Sequence, residues 1–355
     1  RNMRNGSGKI VPASAQFRAY RDNNPGPILD PTFEEARRPE TKRIINQIAA
    51  AETARGNAFD RSKLFLAWQF TIASERSLTE RVLHIRDEAF AALGDRNLAD
   101  GVIQGAPPRF SITTVTPITD DPSKQRQVEG IVTVPNFLNL PPLPLVEELH
   151  SPVDTPAGDS LPMQAIPGGR FLYGLNGLPM QNPVLPTIDV PFVCTIPKAA
   201  SGANPAHPTL YGHGLLGSRF ESTGGSTERD RERNFMPCAT NWMGFAEYDI
   251  ANALVTLLDP SNMPSMIDRA QQGFLNFLYL GRALAHPSGL ATAPAFKADS
   301  SSLFKSNELF YDGNSQGGIM GGALTALAVD HTRATLGVVG MNYSTLLNRS
   351  VDWEG

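Results

Sequence analysis

The sequence is poor in the features that mark several classes of protein. It has 2 cysteines in 355 residues, too few for a disulfide-rich scaffold. No apolar run approaches the ~20 residues of a membrane-spanning helix. Charged residues make up 19% of the chain and the net charge is −4, so no strong positive field would attract nucleic acid or an anionic membrane. With 41% hydrophobic residues, the chain is typical of a globular protein with one large core or two domains.

Metal-binding motifs are also lacking. His84, Asp87 and Glu88 lie close together in the sequence. On a charged helix face such side chains are usually solvated, and no spacing typical of a metal site accompanies them. We therefore expect no metal ion and no cofactor.

One short motif carries specific chemistry. Residues 313–317, Gly-Asn-Ser-Gln-Gly, match G-x-S-x-G, which in α/β-hydrolases forms a sharp turn between a strand and a helix and exposes its serine. An apolar run ends at Tyr311, and apolar residues recur at helical spacing from Ile319 to Leu327. The motif requires this strand–turn–helix context, so Ser315 is the candidate nucleophile.

A second motif lies about a hundred residues earlier, where residues 213–217, His-Gly-Leu-Leu-Gly, follow the apolar run 208–212. It resembles the H-G-x-x-G loop of bacterial lipases and esterases. Together the two motifs make residues 108–355 similar to bacterial secreted α/β-hydrolases of the lipase/esterase type. The earlier half of the chain is weakly similar to the N-terminal region of bacterial extracellular (virulence-factor) lipases.

The resemblance implies roles for individual residues. The backbone N–H groups of Leu215 and Gln316 would hold the oxyanion of an acyl-transfer intermediate, and two such donors are commonly worth about 3 kcal/mol each. His213 and Gly214 would shape the loop, with His213 as an orienting residue and not the base. The resemblance also implies an extracellular or periplasmic location.

The order of elements predicts the fold class. After the strand 208–212 we expect a polar helix at 221–234, a strand at 238–242 and a long helix at 266–285. The strand into Ser315, its helix and a last apolar strand at 333–340 follow. Such alternation predicts an α/β-hydrolase fold with a doubly wound, mostly parallel sheet.

We expect two regions along the chain, an accessory α+β region at 1–107 and the hydrolase core at 108–355. The first should contain an amphipathic helix at 39–55, a half-buried strand at 64–72 and a helix that begins at a Ser77–Glu80 capping box and ends near Gly94. The core should begin with two strands, at 109–118 and 127–138. The Pro- and Gly-rich insertion 135–191 either lines the substrate pocket or wraps irregularly over the surface.

The two cysteines fall on strands that the hydrolase resemblance makes neighbours. Cys194 lies in the apolar run 190–197 and Cys238 in the run 236–242. They either form one disulfide or stay as two buried thiols, because cysteine is often simply a small buried residue.

The catalytic base is missing from the expected place. In this fold an Asp or Glu and then a His follow the nucleophile along the chain. The only histidine after Ser315 is His331, which lies beyond a helix of sixteen residues and hence roughly 24 Å away. Asp330 fails for the same reason, and Asp352 precedes any strand that could carry a histidine.

We therefore expect the core to be C-terminally incomplete, with the triad acid and histidine supplied by sequence beyond residue 355 or by a second chain of the same precursor. The expected function is hydrolysis of small-molecule or lipid carboxylic esters through an acyl-serine. Acyl transfer or amide hydrolysis by the same serine, or a noncatalytic hydrolase-like binding protein, are the alternatives.

Overall fold

A computed structural model describes residues 3–23, 31–68, 72–139 and 169–340. The chain forms two compact units, Arg1–Ser74 and Glu75–Gly355. The first unit contains helices α1 (Ala15–Arg21) and α2 (Pro31–Ala54). Its small core consists of Ala13, Phe17, Ile45 and Leu64.

The second unit contains the remaining elements. Its helices are α3 (Glu75–Leu93), α4 (Glu228–Glu232), α5 (Ile250–Leu258), α6 (Met263–Ala285) and α7 (Gln316–Leu327). Its strands are β1 (Phe110–Pro117), β2 (Lys124–Pro135), β3 (Thr187–Pro197), β4 (His207–Gly212), β5 (Phe235–Thr240), the short hairpin β6 (Lys297–Ala298) and β7 (Ser301–Ser302), β8 (Phe310–Asn314) and β9 (Ala334–Gly337).

Seven strands form one sheet, in the order β1-β2-β3-β5-β4-β8-β9. The first three neighbouring pairs in this order are antiparallel and the last three are parallel. The expectation of a mostly parallel sheet was thus wrong for its first half. A short turn joins β1 to β2, and short turns can connect only antiparallel neighbours, whereas parallel pairing needs a longer crossover.

The two faces of the sheet are covered differently. The main core, which contains Leu210 and Tyr311 of adjacent strands, lies on the face against which α6 and α7 pack. On the other face Tyr211 belongs to a separate small cluster with Val193 and Ala239, and Phe220 packs against it. Successive side chains of a strand point to opposite faces, so Leu210 packs in the main core and Tyr211 in the small cluster.

Several local expectations were wrong. The alternation at 64–72 predicted a strand, but the described residues of this range, 64–68 and 72, belong to no strand and follow a 3₁₀ turn at Arg61–Lys63. Leu64 is buried, Leu66 and Ile72 are exposed, and Phe70 lies outside the described residues. Alternation makes a strand only where a neighbouring strand supplies hydrogen bonds.

Two helices also differ from their expected bounds. Helix α3 already begins at Glu75, so Ser77 lies inside it and no capping box forms there. The polar stretch 221–234 forms two 3₁₀ turns and the short α4 instead of one helix. The helix at 39–55 is confirmed but begins earlier, at Pro31, and α5 was not anticipated.

Helix α3, grouped with the first region by sequence, packs in the second unit. The hydroxyl of Tyr279 on α6 donates to the carbonyl of Ala89 at 2.6 Å. Arg282, also on α6, forms a buried ion pair with Asp95, directly after α3, and a second with Asp330 after α7. These contacts fix α3 against α6 and α7.

The long insertion is anchored on α6. Strand β2 ends at Pro135 and β3 begins at Thr187, and residues 140–168 between them lie outside the described residues. On one side the N–H of Phe137 donates to Gln272, and on the other the N–H of Phe171 donates to Asp268.

The two cysteines lie opposite each other on neighbouring strands. Cys194 of β3 and Cys238 of β5 are Cα partners in the antiparallel pair, and they form a disulfide with an S–S distance of 2.04 Å. The bridge joins the antiparallel half of the sheet to its parallel half.

We predict that the two cysteines are oxidised in the purified protein. Thiol counting with Ellman's reagent in denaturant, on protein prepared without reductant, should find no free thiol. In the chain-entropy account, closing a loop of this length stabilises the fold by about 4 kcal/mol, so reduction should lower the urea midpoint. Two titratable thiols would contradict the prediction.

Candidate active site

Ser315 is the single residue between the end of β8 and the start of α7. Its backbone angles are φ 54° and ψ −120°, a strained conformation that a non-glycine residue rarely adopts without a functional reason. Its side chain is exposed, and its N–H donates to the carbonyl of Gly337 on β9 at 3.1 Å. A strained, exposed serine on a strand-to-helix turn is the geometry of a nucleophile elbow.

The turn depends on a close approach of helix and sheet. A Cβ at Gly317 would overlap the carbonyl oxygen of Gly212 on the neighbouring β4. Tyr311 braces the turn from below, since its hydroxyl donates to the carbonyl of Gly317 at 2.6 Å. Only glycine at position 317 therefore lets α7 begin directly behind Ser315.

The loop after β4 leaves the sheet beside this turn. Gly212 and Gly313 are Cα partners in the parallel pair β4–β8, so the carboxyl ends of both strands lie beside each other. The chain after β4 passes to the sheet face that carries Tyr211, whereas α7 packs on the opposite face. In α/β sheets ligands bind in the crevice that such diverging connections open.

Hydrogen bonds fix the loop at 213–217 and occupy almost all of its donors. The N–H of Gly214 donates to the carboxylate of Glu221 at 2.9 Å. The N–H of Leu216 donates to Phe245, and that of Gly217 donates back to Gly214. Among the described residues, the N–H of Leu215 has no acceptor. Leu215 therefore carries the one uncommitted donor of residues 214–217.

His213 is a structural part of this loop. It is fully buried, and its Nε2 accepts from the N–H of Trp242 at 2.7 Å. The proton therefore lies on Nδ1, which donates to the carbonyl of Gly214 at 2.7 Å. Burial lowers the pKa of His213 to about 4. With both ring nitrogens committed and the ring neutral, His213 cannot accept a proton from Ser315.

Glu221 holds the loop from below. Burial raises the pKa of its carboxyl, while the hydrogen bond from Gly214 opposes that rise. The carboxylate also occupies the position that a Cβ at residue 217 would take, so only glycine fits there. Because Glu221 lies four residues beyond the motif, no sequence pattern pointed to it.

Two carboxyl groups lie close together near Ser315, Asp312 on β8 and Asp230 on α4. Burial together with this neighbour raises the pKa of Asp312 to about 6. The pKa of Asp230 is raised too, chiefly by burial. Two carboxyl groups in contact share a proton because both cannot easily ionise. No local pattern indicates this pair, because Asp230 and Asp312 are far apart along the chain.

Histidines elsewhere are not placed to serve Ser315. His331 stacks on the ring of Tyr311, with 6.1 Å between ring centroids, and burial lowers its pKa to about 4. His207 begins β4, at the opposite end of the strand from Gly212, and binds Glu308 at 2.6 Å. Within the described ranges, no histidine forms a hydrogen bond with Ser315; His150 lies outside them.

Two acidic residues considered above, Asp330 and Asp352, follow Ser315 along the chain. The Nε–H of Arg282 donates to both carboxylate oxygens of Asp330 at 3.0 Å. Asp330 therefore belongs to the buried ion network. Asp352 lies outside the described residues. The described part of the chain holds no cluster of three or more His, Cys, Asp or Glu side chains that could bind a metal ion.

The strand order, the helices on both faces and the serine turn together make an α/β-hydrolase architecture. Among the described helices, none combines the length and the apolar character needed to cross a membrane.

No family model and no curated protein matches the chain. Several solved structures are similar, and the three named below are esterases. Acetyl xylan esterase 1 from Thermoanaerobacterium sp. JW/SL YS485 is 12% identical, with a TM-score of 0.31 over 70% of this chain and 59% of that one. The acetyl xylan esterase from Paenibacillus sp. R4 is 13% identical, with a TM-score of 0.35 over 78% and 70%. The glucuronoyl esterase from Solibacter usitatus is 10% identical, with a TM-score of 0.34 over 78% and 65%.

For other similar esterases the chain spans about half the length of the solved protein. At these identities and scores, the similarities carry neither a substrate nor a mechanism over to this chain. The weak similarity of the earlier half to extracellular lipases remains a prediction.

We predict that the buried neutral histidines make the fold acid-sensitive. His213 and His331 have folded pKa values of about 4, below their ordinary 6.5. The unfolded chain therefore binds protons between pH 6.5 and 4 that the folded chain does not, and stability falls as the pH falls through this window. Each residue accounts for at most about 3 kcal/mol.

The test is urea unfolding of His331→Phe and the unmodified protein at pH 7, 5.5 and 4. The substitution keeps a ring against Tyr311 and removes the titrating group, so the variant should lose less stability between pH 7 and pH 4. Equal losses in both proteins would show that His331 does not contribute.

Proposed function

We propose that this protein hydrolyses carboxylic esters through an acyl-enzyme on Ser315. The observation that carries the proposal is the strained, exposed Ser315 at the sheet edge where the adjacent loop keeps the N–H of Leu215 uncommitted. A nucleophile and an oxyanion donor side by side have a chemical use in acyl transfer, and strain of this kind persists at functional sites.

In the proposed reaction, Oγ of Ser315 attacks the ester carbonyl carbon and the carbonyl oxygen becomes an oxyanion. The N–H groups of Leu215 and Gln316, the latter at the positive end of the α7 dipole, stabilise that charge. The ester C–O bond then breaks, and the alcohol leaves with the proton lost by Ser315. Water hydrolyses the acyl-serine, which releases the acid and restores the hydroxyl.

The loop residues serve this step indirectly. His213 and Glu221 hold Gly214 from two sides, so that the adjacent Leu215 N–H stays in place without rearrangement. Donors that are already oriented stabilise a developing charge more than donors that must move. His213 is thus an orienting residue, in keeping with its buried neutral ring.

The proton transfers need a general base, oriented by an acid partner. None of the described histidines forms a hydrogen bond with Ser315, and His213 and His331 are buried with lowered pKa values. We therefore propose that the base lies outside the described residues.

A noncatalytic hydrolase-like binding protein is the second candidate, because none of the described histidines bonds to Ser315. Acyl transfer to another alcohol, or amide hydrolysis, would use the same serine. We further propose a location outside the cytoplasm, since a disulfide between Cys194 and Cys238 persists in oxidising compartments.

We predict that Ser315→Ala abolishes ester hydrolysis and leaves the fold intact, because the substitution removes one exposed hydroxyl. The rate constant kcat for p-nitrophenyl ester hydrolysis should fall at least about 10³-fold, as for other serine nucleophiles. A fluorophosphonate probe should label the unmodified protein at Ser315. Ser288→Ala, another exposed serine, is the matched control and should keep full activity.

Two results would count against this assignment. Ser315→Ala protein that keeps most of its activity would show that another group is the nucleophile. Unmodified protein that neither hydrolyses esters nor reacts with the probe would favour the noncatalytic alternative.

A further inference from the structure

Three residues hold backbone conformations that their side chains rarely adopt. Among the described residues, Leu216, Ser315 and Val338 have φ values of 51°, 54° and 46°. The other described non-glycine residues with positive φ are two asparagines and an aspartate, which tolerate this left-handed region. For a β-branched residue such as Val338, a positive φ is a clear outlier.

All three residues lie at one end of the sheet. Leu216 comes after β4, Ser315 directly follows β8 and Val338 directly follows β9. These strands are parallel neighbours, so their carboxyl ends meet at the same end of the sheet. Strained residues of this kind cluster at functional sites. Two of the three belong to the proposed site, as the nucleophile and as part of the oxyanion loop, whereas the proposed reaction gives Val338 no role.

Val338 is joined to the nucleophile through one peptide group. The N–H of Ser315 donates to the carbonyl of Gly337 at 3.1 Å, and the backbone nitrogen of Val338 is bonded to that carbonyl carbon. Asn314 and Gly337 are Cα partners in the β8–β9 pair, and a Cβ at Gly337 would overlap the side chain of Asn314. The end of β9 is therefore fixed against the elbow, on the side of β8 that faces away from β4.

Burial within the protein does not account for the strain at Val338. Its side chain is 80% exposed, and that of Val339 is 47% exposed. A buried valine would gain apolar contacts that offset an unfavourable backbone, but an exposed valine gains few. A ligand that covered the side chain would supply the missing contacts.

We propose that Val338 is a specificity-determining residue, whose side chain lies against an aliphatic substituent of the ester bound at Ser315. The proposal rests on the hydrolase function proposed above and narrows its substrate class. Because the N–H of Leu215 would hold the carbonyl oxygen on the β4 side of Ser315, the other groups of the ester have space on the β9 side. Valine offers only apolar surface, so the matching group is an alkyl chain of the acid or of the alcohol.

Two isomeric esters separate these two sources of the chain. Ethyl hexanoate carries its long chain on the acid and hexyl acetate on the alcohol, and ethyl acetate is the short reference. In a pH-stat assay, Val338→Gly should lower kcat/KM for one long ester at least about fivefold relative to ethyl acetate, because apolar burial is lost. Val338→Asn should do the same, because asparagine also tolerates positive φ. The ester that is affected identifies the chain that contacts Val338.

The variants should fold, since glycine adopts a positive φ without strain, and the urea midpoint of Val338→Gly should not fall. The matched control is Val102→Gly. Val102 is also exposed and lies two residues before Gln104, whose carbonyl accepts from Arg282, the partner of Asp330 beyond the far end of α7. This control should leave kcat/KM unchanged for all three esters.

Binding gives a readout that needs no turnover. In Ser315→Ala protein, isothermal titration calorimetry should show that adding Val338→Gly weakens the binding of one long ester at least about fivefold. The binding of ethyl acetate should not change.

Several outcomes would overturn the proposal. Equal changes in kcat/KM for all three esters would show that Val338 only braces the elbow, and unchanged values would show that it contacts no ester. Unmodified protein that hydrolyses none of the esters would instead refute the hydrolase function. The calorimetry then decides the role of Val338, since ester binding that is absent, or equal with and without Val338→Gly, excludes the contact.

Discussion

The site depends on the contact between Gly317 at the start of α7 and Gly212 at the end of β4. Any side chain at position 317 would collide with the backbone of β4. The contact lets the helix start immediately behind Ser315 and forces the serine into its strained conformation. It lies where two adjacent parallel strands end, from which Ser315 and the loop at 213–217 both emerge.

A second constraint is the need of every buried backbone group for a hydrogen-bond partner. In the loop at 213–217 this need is met by Glu221, by His213 and by the neighbouring segment after β5. What remains uncommitted, the N–H of Leu215, faces no described acceptor. The other groups of the loop are paired and hold it in one conformation, which suits the oxyanion role that we propose for Leu215.

Burial sets the charge of the groups around the elbow. His213 is kept neutral, and the carboxyls of Asp312 and Asp230 are held close enough to share a proton. These groups are fixed by packing on the two faces of the sheet and do not contact Ser315. The lowered pKa of His213 costs stability in acid, whereas the raised pKa values of Asp312 and Asp230 cost stability as the pH rises.

Sequence alone determined the parts of this protein that depend on short-range pattern. Local signals of glycine spacing or apolar periodicity were enough to predict several elements. These are the strand–turn–helix around 313–317, the strands β1, β2 and β8 and the long helix α6. Tertiary structure decided what depends on distant partners. Residues 64–72 have the alternation of a strand, but those of them that the structure describes pair with no strand. Glu221 reaches Gly214 only through the fold of the chain after β4, and Asp230 meets Asp312 only when α4 packs on the sheet. The outward leucines of α5 are recognisable only once the buried side of that helix is known.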